Sequence, residues 1–277
     1  LMRKISWRAR LQVWVLFGSL ISMASCLPTV ESEQIIYSND FSDFKYEKVP
    51  FRTPESPWDD DICYRVKFHN NLAYVTCKKG LGIINLKDFS YRFYEHNPLD
   101  LNSIAGEAVR MIHIDKNGQK WLASSGAGLA KMYTVQDGDS AVEKFKYYLH
   151  DDNNTNSLSS NYCLSIYEEP QGTLWIGTYG GGLNKFDIAT ETFTHFTEES
   201  GLANNSIYGI TGSNEENIIW MSTNFGLSKF NYVTETFKNY HESDGLQSNE
   251  FSDNAVWKND DGYLFFGGIY GFNYFLP

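Results

Sequence analysis

Five times along this chain one short phrase returns: an aromatic anchor, three small or apolar residues, and then a Gly-Leu or Gly-Phe pair. It is clearest at Trp175-Ile176-Gly177-Thr178 with Gly182-Leu183-Asn184-Lys185-Phe186. It recurs at Trp220-Met221-Ser222-Thr223 with Gly226-Leu227, and at Trp121-Leu122-Ala123-Ser124 with Gly128-Leu129. Weaker copies are Tyr74-Val75-Thr76-Cys77 with Gly80-Leu81, and Phe265-Phe266-Gly267-Gly268 with Gly271-Phe272. The anchors 74, 121, 175, 220 and 265 are 47, 54, 45 and 45 residues apart. One such unit cannot bury its own apolar face, so a chain with this period must stack or radiate its copies.

Each copy reads as four short strands separated by turn residues. In the third copy they are Cys163–Tyr167, Thr173–Thr178, Leu183–Asp187 and Thr192–Phe196. The second strand is apolar on consecutive positions, as in Leu174-Trp175-Ile176 and Ile218-Ile219-Trp220-Met221, so both of its faces must be covered. The fourth strand alternates and is more polar. Sheets packed face to face around an axis meet these demands, with the large aromatic filling the wedge between neighbours. The expectation is an all-β β-propeller of about five four-stranded blades over residues 44–277. The alternating segment 44–51 is a candidate outer strand for the last blade, removing two open edges; the rival is a piece of a larger ring. The hairpin tips at 115–118, 168–172, 214–217 and 259–262 are rich in Asp, Glu, Asn and Gly, and their acids are expected to be solvated rather than metal ligands.

The formal charge of −11 argues against nucleic acid, for which a basic face is expected. Hydrophobic residues at 42% suffice for a packed core. Arg3, Lys4, Arg8 and Arg10 precede the apolar run 11–21, too short to span a bilayer and suited to a signal peptide. Residues 1–26 are therefore expected to direct export to the periplasm or cell envelope, with 27–43 as a linker. Met23-Ala24-Ser25-Cys26 resembles the lipobox of bacterial lipoproteins, which makes Cys26 a lipidation candidate; ordinary cleavage near Ala24 is the alternative. Cys63 and Cys77 fall on a hairpin turning at Asn70-Asn71. They lie near enough to pair in an oxidising compartment, although two separate buried thiols suit the same placement better. Cys163 has no evident partner.

The run Gly172-Thr173-Leu174-Trp175-Ile176-Gly177-Thr178-Tyr179-Gly180-Gly181-Gly182-Leu183-Asn184-Lys185-Phe186-Asp187, with Thr190 and Phe193, resembles the two-component regulator propeller repeat. The linking phrases 156–161 and 201–207 are similar to that family's inter-blade segments, and the likeness extends over about 62–277. The resemblance implies the exported sensor region of a bacterial membrane receptor, often a hybrid histidine kinase responding to carbohydrates. No output module follows Pro277 in this chain, so a membrane histidine kinase or another receptor component is the expected partner.

In this strand order the turns after the second strands share one end of the ring with the inter-blade connections. Lys79, Ser125, Tyr179, Phe225 and Tyr270 come from those turns; Arg65, Arg110, Tyr162, Tyr208 and Phe251 come from the starts of the innermost strands. Aromatic and arginine side chains around a central opening suit stacking on sugar rings or gripping a carboxylate. Arg65, Lys79, Arg110, Tyr162, Tyr179, Tyr208, Phe225 and Tyr270 are thus the candidate ligand-binding residues, weighed against a role in inter-blade packing. Glycosidase chemistry needs two facing carboxylates, whereas the acids here concentrate on hairpin tips at the other end or in the Asp59-Asp60-Asp61 and Asp151-Asp152 loops. His96, His150, His195 and His241 are placed near outer strands in solvent, and no catalytic motif or metal spacing is present. No cofactor is implied. The expected function is an exported ligand-sensing or recognition module; the alternatives are a periplasmic protein-interaction scaffold and, less readily, a propeller lyase or glycosidase.

Overall fold

The computed structural model describes residues 3–4, 62–97, 99–100, 103–106, 108–138 and 140–277. It is an all-β propeller of five four-stranded antiparallel sheets. A two-residue strand, β1 (Arg3–Lys4), comes first in the chain. The first blade comprises β2 (Cys63–His69), β3 (Leu72–Cys77), β4 (Gly80–Asn85) and β5 (Tyr91–Glu95). The second comprises β6 (Ala108–Ile114), β7 (Lys120–Ser125), β8 (Gly128–Asp137) and β9 (Ser140–Tyr148). The third is β10 (Cys163–Glu168), β11 (Leu174–Thr178), β12 (Leu183–Asp187) and β13 (Thr192–Phe196), within one residue of the sequence expectation. The fourth is β14 (Ile207–Gly212), β15 (Ile218–Thr223), β16 (Gly226–Asn231) and β17 (Thr236–Tyr240). The last contains β18 (Phe251–Lys258), β19 (Leu264–Gly268) and β20 (Gly271–Phe275), and its outer position is taken by β1, paired Arg3 to Tyr274 and Lys4 to Asn273. An N-terminal strand thus completes the last blade, but Arg3–Lys4 supplies it; segment 44–51 lies outside the described residues.

The anchor aromatics act as wedges. Tyr74, Trp121, Trp175 and Trp220 are almost wholly buried, each against the blade that follows it. Trp121 meets Phe186 edge-on at 5.4 Å, and Trp175 meets Phe230 at 5.7 Å, the geometry aromatic rings prefer. Directly opposite each Trp in the register stands a lysine: Trp121 with Lys131, Trp175 with Lys185, Trp220 with Lys229. Their ammonium groups lie 5.5–5.8 Å from the ring centroids, so the Lys of the repeat caps the wedge by a cation–π contact. The fifth wedge, Phe265, is only half-buried and stacks on Tyr274 of its own blade. The remaining face of the first blade is lined by Ala73, Val75, Cys77 and Ile84 with Val66.

The inter-blade segments are stapled at both ends. Gly128, Gly182 and Gly226 donate their N–H groups to the carbonyls of Asn161, Asn205 and Asn249 at 2.7–2.8 Å. Each of those asparagines also accepts an N–H at Oδ1, from His150, Glu198 and Glu242 respectively. Ser159, Ala203 and Gln247 donate their N–H groups to Asn184, Ser228 and Asn273 on the third strand of the blade that follows. Gly182 has φ 77°, and a Cβ there would run into the Phe196 carbonyl; only glycine lets β12 start that close to β13.

Two sequence expectations need correction. Asp115 and Glu169, placed at solvated tips, are buried. Asp115 accepts from the Trp121 indole and from the Asn117 and Gln119 N–H groups, while Glu169 accepts from Thr173 and Gln171. A carboxylate that collects its own turn's donors need not stay in water. The outer-strand histidines His96 and His150 are exposed, as expected, and His195 is half-buried; all three also bond carbonyls, of Ile104, Leu158 and Ser157, and tie strand to linker.

Candidate functional site

Every innermost strand slips register near its start. The extra residue is Tyr64 in β2, Arg110 in β6, Leu164 in β10 and Tyr208 in β14; in β18 the slip covers 252–255. A bulge re-aims its side chain out of the alternation of the strand. Five bulges at the same level of five converging strands gather side chains around the axis. Arg110 Nη1 lies 3.3 Å from Asp253 Oδ2, joining the second blade to the fifth, and Arg110 Nε donates to Ser125 Oγ at 2.8 Å. The Tyr64 ring lies 4.4 Å from the Arg110 guanidinium. Asn254, at φ 53°, donates to the Leu164 carbonyl at 3.0 Å. Four blades are therefore linked across the axis by Tyr64, Arg110, Asp253, Asn254 and the Leu164 carbonyl.

Above this throat stands an aromatic rim. Tyr162, Tyr179, Phe225 and Tyr270 are 40%, 56%, 51% and 52% exposed. Tyr162 and Tyr179 face each other with centroids 6.5 Å apart, and Phe225 lies 4.9 Å from His241. The rim turns are held to the inter-blade segments by Tyr179 N–H to Tyr162 O, Asn224 N–H to Ser206 O and Ile269 N–H to Glu250 O. The Tyr208 hydroxyl donates to Asn224 Oδ1 at 2.8 Å. This places the turns and the strand starts at one end, as the strand order implies.

Of the expected residues, Arg110 and Tyr208 occupy bulges, and Tyr162, Tyr179, Phe225 and Tyr270 form the rim. Lys79 is exposed at the β3–β4 turn. Arg65, one position past its bulge, points into the seam between the first two blades, with Nη1 3.6 Å from Met111 Sδ; burial pulls its guanidinium below its ordinary range. Phe251 packs against Phe266 in the core. Sequence reasoning missed Tyr64, Asp253 and Asn254 because period-2 alternation assigns them to faces the bulges then change. It also placed the acids at the opposite end or in loops, whereas Asp253 and Glu250 lie at this one, close enough to raise the Tyr208 phenol after the larger effect of burial. Burial raises the Asp253 carboxyl above the usual carboxylate range, with Arg110 opposing. A guanidinium and a carboxyl set among hydroxyl and amide groups can exchange hydrogen bonds with a polar ligand while the rim packs on its flat faces. Among the described residues no group of His, Cys, Asp and Glu could hold a metal ion.

The fold and the axial mouth place this chain among β-propellers. Residues 157–180, the linker and first two strands of the third blade, match the two component regulator propeller family, so the chain carries that repeat. The extracellular domain of the hybrid two component system BT4673 from B. thetaiotaomicron superposes with a TM-score of 0.64 at 22% identity. The match covers 78% of this chain and 30% of that one. PorZ, a surface component of the type-IX secretion system of Porphyromonas gingivalis, superposes with a TM-score of 0.55 at 13% identity, over 77% of this chain and 32% of PorZ. This chain thus spans less than a third of either structure, and at these identities the likeness establishes the fold. No curated protein matches it. Among the described residues no helix is long and apolar enough to cross a membrane.

Proposed function

We propose that this propeller is the exported ligand-sensing part of a receptor-type signalling system. In this reading it holds a small polar ligand with flat apolar faces, such as a glycan fragment, at its axial mouth and acts through a membrane partner of the histidine-kinase class. The observation that carries the proposal is the Arg110–Asp253 pair at the throat, contributed by blades far apart in sequence, at the end of the molecule where Tyr162, Tyr179, Phe225 and Tyr270 stand exposed. Charged groups spanning an axis can sense a ligand because one bound molecule touches several blades together. The repeat at 157–180 and the fold shared with an extracellular domain of a two component system support the assignment. The apolar leader supports export, and Cys26 is the residue at which a lipid anchor would attach.

A thermal-shift screen of oligosaccharides and small organic acids tests this reading. A ligand at about 100 times its Kd stabilises the fold by about 2.7 kcal/mol, a readable shift. Tyr179→Ala and Arg110→Ala, folded but unshifted by the hit, are the expected result. A screen with no stabilising compound, or a hit indifferent to both substitutions, overturns it. The breadth of the exposed rim also suits a docked protein, the scaffold reading; capture from envelope extracts that fails with Tyr179→Ala while no small ligand binds would favour that instead.

A further inference from the structure

Cys63 and Cys77 lie at the mouth end of the first blade, where β2 begins and β3 ends. They are direct cross-strand partners, and the Lys78 N–H donates to the Ile62 carbonyl just outside the pair at 2.9 Å. That bond marks the pair as non-hydrogen-bonded, the register in which facing side chains come closest, with Cα atoms about 4.5 Å apart. Disulfides accept Cα separations from about 4.4 Å upward. The two Sγ atoms are 3.3 Å apart. The repeat shows how unusual this position is. Its counterparts pair Ala108 with Ser125, Cys163 with Thr178, Ile207 with Thr223 and Phe251 with Gly268. At the Cys77 position, Thr178 and Thr223 donate their hydroxyls to the Gly182 and Gly226 carbonyls at 2.8 and 2.9 Å and so hold the rim turn. The first blade gives up that hydroxyl and places a thiol on both strands.

We propose that Cys63 and Cys77 form an intrablade disulfide that takes the place held by the threonine clasp in the third and fourth blades. Exposed Cys63 is the attacking thiol and buried Cys77 the resolving one. The Cys63 thiolate attacks a low-molecular-weight disulfide, or the disulfide of a thiol oxidoreductase, releasing one thiolate and leaving a mixed disulfide. Cys77 then loses its proton and displaces the second thiolate. Both cysteines are oxidised by two electrons in all, and the oxidant leaves as two thiols. Cys163 has no such role: it faces Thr178, is fully buried, and burial drives its thiol far above the ordinary range, so it stays protonated. Because Tyr64 follows Cys63 directly and lies against Arg110, the bridge would also fix one wall of the throat.

The test is peptide mapping of the folded protein after exposure to oxidised glutathione, with alkylation under denaturing conditions. Trypsin cuts after Arg52, Arg65, Lys67 and Lys78, so the bridge appears as peptide 53–65 joined to 68–78, lighter by two hydrogens and separable by reductant. Oxidation should raise the thermal midpoint of the wild type by about 5 °C or more, and Cys63→Ser should abolish that rise while Cys163→Ala keeps it. Both peptides alkylated after oxidation, Cys77 joined to Cys163 or to another molecule, or the same rise in Cys63→Ser, would each overturn the proposal.

Discussion

Glu191 shows how one exposed side chain ties the outer strands of two blades together. It sits at φ 57° just before β13, in a conformation that non-glycine residues rarely adopt, and it reaches Lys146 and the Tyr148 hydroxyl of β9. Lys146, and then Tyr148, hold its carboxyl below the ordinary glutamate range. A folded-state value below the unfolded one adds stability above the unfolded value, and that stability is lost as pH falls through the folded one. Glu191→Gln is therefore expected to lower the thermal midpoint near pH 7, by an amount that shrinks as the pH falls through the carboxyl's folded-state value. A pH series of melts on the two proteins checks it, and a difference that persists undiminished in acid would contradict it. The effect is small because the pair is solvated. At this level the sequence was a good guide where a residue type has one use, as with the wedge tryptophans. It misled where a polar residue can satisfy itself locally, as Asp115 and Glu169 do inside their turns.

The recurring element is a four-stranded sheet with a latch. Asn161, Asn205 and Asn249 each carry two bonds: the backbone carbonyl takes a glycine N–H at the start of the preceding blade's third strand, and the side chain takes an N–H just beyond that blade's outer strand. The repeat spacing made Asn161 and Asn205 visible as members of similar linking phrases, but not the reason for them. That reason is a hydrogen-bond geometry: the side chain bonds a residue 7 or 11 positions earlier, while the backbone carbonyl bonds the third strand of the preceding blade. Asn205→Ala should leave Glu198 N–H without its partner and cost about 1 kcal/mol, together with faster amide exchange at Glu198 and Gly182. Hydrogen exchange at those two amides reads it; unchanged protection would mean that the latch does not hold the linker. The bulges belong here too. A one-residue slip at Arg110 and at Tyr208 sets which way those side chains face.

Across the molecule, the blades touch chiefly their sequence neighbours through four shared cores, and the axial groups add a sparse second set of links. Such an assembly responds to damage locally. Trp175 fills the seam between the third and fourth blades, against Phe196, Phe230 and Tyr232. Trp175→Ala is expected to cost about 3–5 kcal/mol by denaturant titration. Exchange mass spectrometry should show protection lost in those two blades first and the first blade least affected. Uniform loss over all five would show a single cooperative unit instead.

The residues alone were enough for the five copies, their strands and the blade architecture, because burial on both faces of a short apolar strand is written into composition and period. They were enough, too, to place rim aromatics and strand starts at one end, since strand order dictates that. The axial group had to await the folded chain. Arg110 and Asp253 are 143 residues apart, in blades that are not neighbours, and they meet only because the strands converge and the bulges turn them inward. The same holds for the cysteine pair, where proximity was readable from the hairpin but the register that sets two sulfurs 3.3 Å apart was not. Local pattern specifies what each segment can pack against; which side chains share a point in space depends on how all the segments close together.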